Sequence, residues 1–153
     1  MLAIRSILHP TDFSESSKAA FQLGCALARD YKARLVVLYV YPPPVNGAEE
    51  VDRERPGGLE GDLIAKLHEL KPDDPSIEVE YRAEDGHPVD EILAVADDEE
   101  AELIVIGTHG RSGVRRALMG SVAEAVSRKA LVPVVTVRSA VRVPPELTEC
   151  GDG

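Results

Sequence analysis

Two stretches of this 153-residue chain hold residues whose types and spacing could do chemistry. The longer is GTHGRSGVRRALMGS, residues 107–121, with four of the chain's twelve glycines, three arginines, a histidine and two serines. Its frame is Gly107-x2-Gly110-x9-Gly120-Ser121. Gly107 and Gly110 let the backbone bend tightly and bring its N–H groups close to a ligand. Gly120 and Ser121 stand where a helical pattern begins. The free N–H groups and positive dipole end of that helix would favour a phosphate, and the Ser121 hydroxyl adds a donor. Arg111, Arg115 and Arg116 make the connection between the two ends basic. The shorter stretch is His9-Pro10-Thr11-Asp12, where a carboxylate follows an apolar run.

Each feature has a plainer reading. Two glycines and a capping serine alone would describe an ordinary strand-to-helix turn. The third glycine and the position after a buried strand favour anion binding. Asp12 reads equally well as a turn residue before a helix cap at Ser14. The long stretch is not a P-loop, because it lacks the Gly-Lys-Ser/Thr ending. Nor is it the dinucleotide fingerprint, since the glycines are wrongly spaced and do not follow the first strand. His109 is a turn residue or weak phosphate contact and His9 a strand-end residue. His68 reads as surface, His87 as a helix start and Cys25 as a small core side chain. No pair among them forms a nucleophile with its base.

The elements that must position these stretches follow from hydrophobic periodicity. Strands are expected over residues 4–8, 35–40, 77–82, 103–106 and 133–138. Helical spacing joins them in turn. The first helix carries Ala19, Ala20, Leu23, Ala26 and Leu27, with Ser14 as cap and Phe13 covering the entry. The second carries Leu59, Leu63, Leu67 and Leu70. The third opens at Pro88 with Val89, Ile92, Leu93 and Ala96. The fourth carries Leu118, Val122, Ala125 and Val126. The acids at 97–100 have the wrong sign for a helix C-terminus and are expected to point to water. Strands two and four are apolar throughout, as parallel strands covered on both faces are. The third alternates, and the fifth starts with proline, so both suit sheet edges. Strictly alternating strands and helices imply a parallel sheet with helices on both faces. Ligands of such sheets sit beyond the carboxyl ends of the strands, where the winding reverses. The loops after strands one and four hold both stretches.

Composition narrows the partners. The chain is 44% apolar with only two Phe, four Tyr and no Trp, so its core must be aliphatic. Its net charge of −10 argues against general nucleic-acid binding. Residues 45–100 hold nineteen acids against five bases, whereas 103–143 hold seven bases against one acid. A small basic zone on an acidic body suits a small anion. The two cysteines have no ligand or disulfide spacing. With no cleavage-site pattern and no run long enough for a bilayer, the expectation is a cytoplasmic protein without membrane partners.

The combination of GTHGRSGVRRALMGSVAEAV, the strand VPVVTV behind it and HPTDFSESSKAA near the start resembles the universal stress protein family, in its ATP-binding branch. The resemblance covers one domain, residues 1–138, and leaves 139–153 as a tail. It implies a Rossmann-like α/β fold, a five-stranded parallel sheet of order 3-2-1-4-5. It also implies ATP, with or without magnesium, and a homodimer paired through the last strand, Val134 to Val137. Carried over residue by residue, Asp12 would hold the ribose hydroxyls, with Pro10 and Thr11 shaping that wall. Val40 would meet the adenine through its backbone, and Ile106 and Gly107 would line base and ribose. Gly110, Gly120, Ser121 and Val122 would contact the phosphates. The implied function is a nucleotide-dependent stress-response module, with an unidentified protein partner and slow or no hydrolysis. The alternatives are a nucleotide-free dimeric adaptor and a weak ATPase or ATP-dependent enzyme. The segment 42–58, opening with three prolines, has no counterpart in the resemblance.

Overall fold

A computed structural model of the chain describes residues 3–41, 59–108 and 120–138. The expected tail, the 42–58 segment, His109, Gly110, Leu118 and the three loop arginines lie outside the described residues. Nine elements alternate without exception. They are β1 (Ser6–Pro10), α1 (Glu15–Tyr31), β2 (Arg34–Tyr41), α2 (Leu59–Glu69), β3 (Val79–Asp85), α3 (Pro88–Asp98), β4 (Leu103–Gly107), α4 (Ser121–Lys129) and β5 (Val134–Val137). The five strands form one parallel sheet in the order β3-β2-β1-β4-β5.

Strand alternation sorts the core into two layers. Ile7, Leu35, Val37 and Val105 face Ala20, Phe21 and Ala28 of α1 and Leu67 of α2. Leu8, Val36, Leu38, Ile104 and Ile106 face Ile92, Val95 and Ala96 of α3 and Ala123 and Val126 of α4. The central strands β1, β2 and β4 are thus covered on both sides, which is why they read as continuous apolar runs. The winding reverses between β1 and β4.

Strand boundaries move where pairing overrides local pattern. β1 starts two residues later than its apolar run, because its partner β2 begins at Arg34, opposite Ser6. β3 starts at Val79, not 77. The Ser76 N–H and hydroxyl both donate to the Asp74 carboxylate, at 2.9 and 2.7 Å, and hold the preceding chain in a turn. At its other end β3 follows β2 out to the Tyr41–Asp85 pair.

The acidic run at the end of α3 does not simply face water. Asp98 and Glu99 bind Arg82 of β3 at 2.7 and 2.9 Å, and Glu99 also binds Arg34 of β2 at 3.0 Å. Two arginines brought by neighbouring strands therefore offset the unfavourable sign at this helix end. Sequence periodicity could not reveal them, because strand pairing is what sets them there.

Candidate functional site

The site is built where β1 and β4 part. Their ladder pairs Ile7 with Leu103 and Leu8 with Ile104, and then stops. The next donor due at the Val105 carbonyl is the N–H of residue 10, which proline lacks. His9 supplies it instead. Its Nδ1 lies 2.9 Å from the Val105 oxygen, and an oxygen that can only accept fixes the proton on Nδ1. His9 is fully buried beside Phe21, and its Nε2 has no hydrogen-bond partner among the described residues. Burial pushes its pKa down to about 4, against the pull of the Val105 carbonyl and the Asp12 carboxylate. This histidine is a neutral tie across the diverging strands, not a proton carrier for the cavity above.

Beyond Pro10 the chain turns sharply into α1. Phe13 sits at φ 63°, a left-handed position that a bulky residue rarely adopts. Polar groups hold it there. The Phe13 N–H donates to the Thr11 hydroxyl at 3.2 Å, and the Ser14 N–H donates to Asp12 Oδ1 at 2.9 Å. The Ser17 hydroxyl donates to the same oxygen at 2.7 Å. The Ser14 hydroxyl caps α1 by accepting the Ser17 N–H at 3.3 Å, and the Phe13 ring stacks on Tyr39. The turn-residue reading of Asp12 therefore describes its Oδ1. A carboxylate has a second oxygen, and Asp12 also lines the cavity described next.

On the other side, β4 ends at Gly107, and Thr108 is tied to β5 by its N–H, which donates to the Val137 carbonyl at 2.9 Å. The Gly120 N–H donates back to the Thr108 carbonyl. That bond brings the start of α4 directly beside the end of β4. α4 then starts at Ser121 with Gly120 as its cap residue and no side-chain cap. Ser121 is thus the first helical residue, and the capping-serine reading does not apply. The opening N–H groups of α4 have no intrahelical acceptor.

These parts enclose one cleft of about 460 Å³ beyond the carboxyl ends of the strands. That volume falls within the usual range for small-molecule sites. Nine of the ten residues expected from sequence lie on its wall: Pro10, Thr11 and Asp12, then Val40, Ile106 and Gly107, then Gly120, Ser121 and Val122. The tenth, Gly110, lies outside the described residues. By the alternation of the β2 ladder, the Val40 carbonyl faces the β1 side, which β1 has left after the Thr11 N–H meets Leu38 at 2.8 Å. Sequence reasoning missed the third wall, Pro88 and Ile92 of α3, together with Ser17, Thr108 and Ala123. Pro88 and Ile92 were legible only as a helix start and a core position. What brings them here is α3 crossing to the same face as α4.

Gly107 has a further reason to be glycine. A Cβ built on it would stand 2.6 Å from the Ser16 hydroxyl, 2.7 Å from the Ser16 carbonyl carbon and 2.8 Å from the Ser17 nitrogen. The start of α1 rests directly on the end of β4, and the glycine serves that contact.

A doubly wound α/β domain with its cleft at the reversal of strand order belongs to the class whose ligands are held at that position. The chain belongs to the universal stress protein family, whose model matches residues 3–138. It is 31% identical to the universal stress protein MJ0531 of Methanocaldococcus jannaschii over 140 residues, covering 88% of this chain and 82% of that one. Among solved structures, it superposes on MJ0577 with a TM-score of 0.75 and 28% identity, over 90% of this chain and 97% of the other. A universal stress protein solved in complex with cAMP gives a TM-score of 0.69 at 28% identity, covering 91% of this chain and all of that one. Among the described residues, no helix is long and apolar enough to cross a membrane.

Proposed function

We propose that the chain is an ATP-binding module of the cytoplasm whose nucleotide occupancy biases its interactions in a stress response, with slow or no hydrolysis. One observation carries this reading: the start of α4, whose first N–H groups have no intrahelical acceptor, and Asp12 line one cleft. The phosphates would lie on Gly120, Ser121 and Val122, where the helix end favours negative charge. Asp12 would accept the ribose hydroxyls, with Pro10 and Thr11 beside it. The adenine would enter between Val40 and Ile106, with its amino group donating to the Val40 carbonyl. The relative solved with cAMP supports the adenine-nucleotide class. Gly110 belongs to the same proposal through its place in the motif.

Asp12 is the one charged side chain on the described wall, and no group of three metal-ligating side chains occurs among the described residues. Magnesium would therefore be held mainly through the phosphates. We further propose a homodimer paired through β5. That strand is an edge of the sheet, with Val134 and Val135 half-buried, and such edges seek partners.

Equilibrium dialysis with ATP and magnesium tests the site. Wild type should bind at least tenfold more tightly than a Gly120→Val, Ser121→Ala variant; equal binding by the two would sink the proposal. Saturating ATP should raise the unfolding temperature by mass action. Base choice is a separate expectation. Guanine presents a carbonyl where adenine has its amino group, so GTP should bind at least tenfold more weakly, and equal affinities would overturn the Val40 contact.

A further inference from the structure

Ser17 lies on the wall of the cleft, and no part of the proposed nucleotide falls to it. It is only 5% exposed, and its hydroxyl is tied twice to one residue. It donates to Asp12 Oδ1 at 2.7 Å and accepts the Asp12 N–H at 3.2 Å. A serine hydroxyl carries a single proton, so this one has none left to give a ligand. Whatever Ser17 does for binding, it does through Asp12.

We propose that Ser17 is a positioning residue for the sugar. Its hydroxyl aims the Asp12 carboxylate so that Oδ2 accepts the ribose hydroxyls, and it thereby sets the preference of the cleft for nucleotides that carry them. The inference rests on the ribose contact proposed for Asp12. Among the described residues, both hydrogen bonds to this carboxylate fall on Oδ1, from the Ser17 hydroxyl and from the Ser14 N–H at 2.9 Å. Oδ2 is the oxygen left for a ligand. A carboxylate held by one donor can swing about that single bond. Two donors converging on one oxygen, with the Asp12 N–H tied to the same serine, hold its plane. The charge on the acceptor makes the short Ser17 bond one of the stronger kind.

The serine is itself well seated. Its main-chain nitrogen rests on Gly107, where a Cβ would stand only 2.8 Å away. The turn of α1 that carries the hydroxyl is therefore braced on the end of β4 and does not follow the carboxylate if it moves. A purely structural role fits less well, because other groups already hold the turn. The Phe13 N–H is taken by the Thr11 hydroxyl, and the Ser14 hydroxyl caps α1. What the Ser17 hydroxyl adds is confined to Asp12. A sugar hydroxyl must leave water to bind, and an acceptor that is already ordered lowers the cost of that exchange.

Equilibrium dialysis of the full chain with ATP and with 2′,3′-dideoxy-ATP, each with magnesium, tests this. Wild type should bind ATP about tenfold more tightly than the dideoxy analogue, the low end for hydrogen bonds to a charged group. Ser17→Ala should cut that preference to about threefold or less, by weakening ATP and moving the analogue by less than about twofold. Damage to the fold would weaken both ligands alike, so the ratio separates aiming from structure. A double-mutant cycle gives the second readout. In an Asp12→Ala background, Ser17→Ala should change ATP affinity by less than about twofold, because the residue it acts through is gone. Should Ser17→Ala fail to fold, Ser17→Cys takes its place with the same expectation, since a thiol is only a weak donor. A wild-type preference that survives loss of the hydroxyl, or an equal loss of ATP affinity with and without Asp12, overturns the role of Ser17 and leaves the nucleotide site standing. Equal binding of the two nucleotides by wild type removes the Asp12 ribose contact and this inference with it. Absence of ATP binding by wild type removes the site itself.

Discussion

Gly107→Ala should destabilise the protein by about 2–3 kcal/mol, the upper range for forcing an extra methyl into a packed site. Two of the three atoms its Cβ would strike, the Ser16 carbonyl carbon and the Ser17 nitrogen, belong to the backbone of α1. A flexible side chain could swing aside, whereas the first turn of a 17-residue helix must shift as a body. That shift would also disturb the Asp12–Ser17 hydrogen bond, so ATP affinity should fall together with stability. Gly24→Ala is the matched comparison. Its Cβ would meet only the Leu35 Cδ1, at 3.3 Å, and alanine is the better helix former by about 1 kcal/mol. Urea unfolding of the three proteins is the measurement, with Gly24→Ala expected within about 1 kcal/mol of wild type. Should Gly107→Ala unfold at the same urea concentration as wild type, the close approach of α1 to β4 is misplaced.

How far the sequence reveals this molecule differs between fold and site. Element types and the parallel arrangement were readable because β1, β2 and β4 are buried on both faces and the helices carry one apolar stripe. Boundaries were less so, since pairing with Arg34 decides where β1 starts and an Asp74 turn decides where β3 does. For the site, the residues after β1 and β4 could be named from their position at the reversal of winding. Their physical reasons were only partly legible. Gly107 reads as backbone freedom, yet a helix rests on it. His9 reads as a strand-end residue, yet it replaces a hydrogen bond that Pro10 cannot make. Pro88 and Ile92 gave no signal of a site, because a cleft wall made by α3 exists only after the chain has folded. The bond from the Gly120 N–H to the Thr108 carbonyl, which brings the start of α4 beside the end of β4, was not legible either.

Acid should expose the cost of keeping His9 neutral. In the unfolded chain a histidine takes up its proton near pH 6.5, while in the fold burial holds it off until about pH 4. Between these values the unfolded state binds the extra proton, so stability is complete above pH 6.5 and declines as the pH falls. The interval corresponds to about 3 kcal/mol by pH 4. Other groups titrate over the same range, so the test is a difference. His9→Gln can still offer an N–H to the Val105 carbonyl but cannot take a proton there. It should be the less stable protein at neutral pH, through poorer packing against Phe21. The gap in unfolding free energy between wild type and His9→Gln should then narrow by about 2–3 kcal/mol between pH 7 and pH 4.5. A gap that stays constant over this range would show that His9 does not titrate in the unfolded chain against a neutral buried ring in the fold. Nucleotide should leave that narrowing in place, because His9 faces α1 and Phe21 and its ring takes no part in the wall of the cleft.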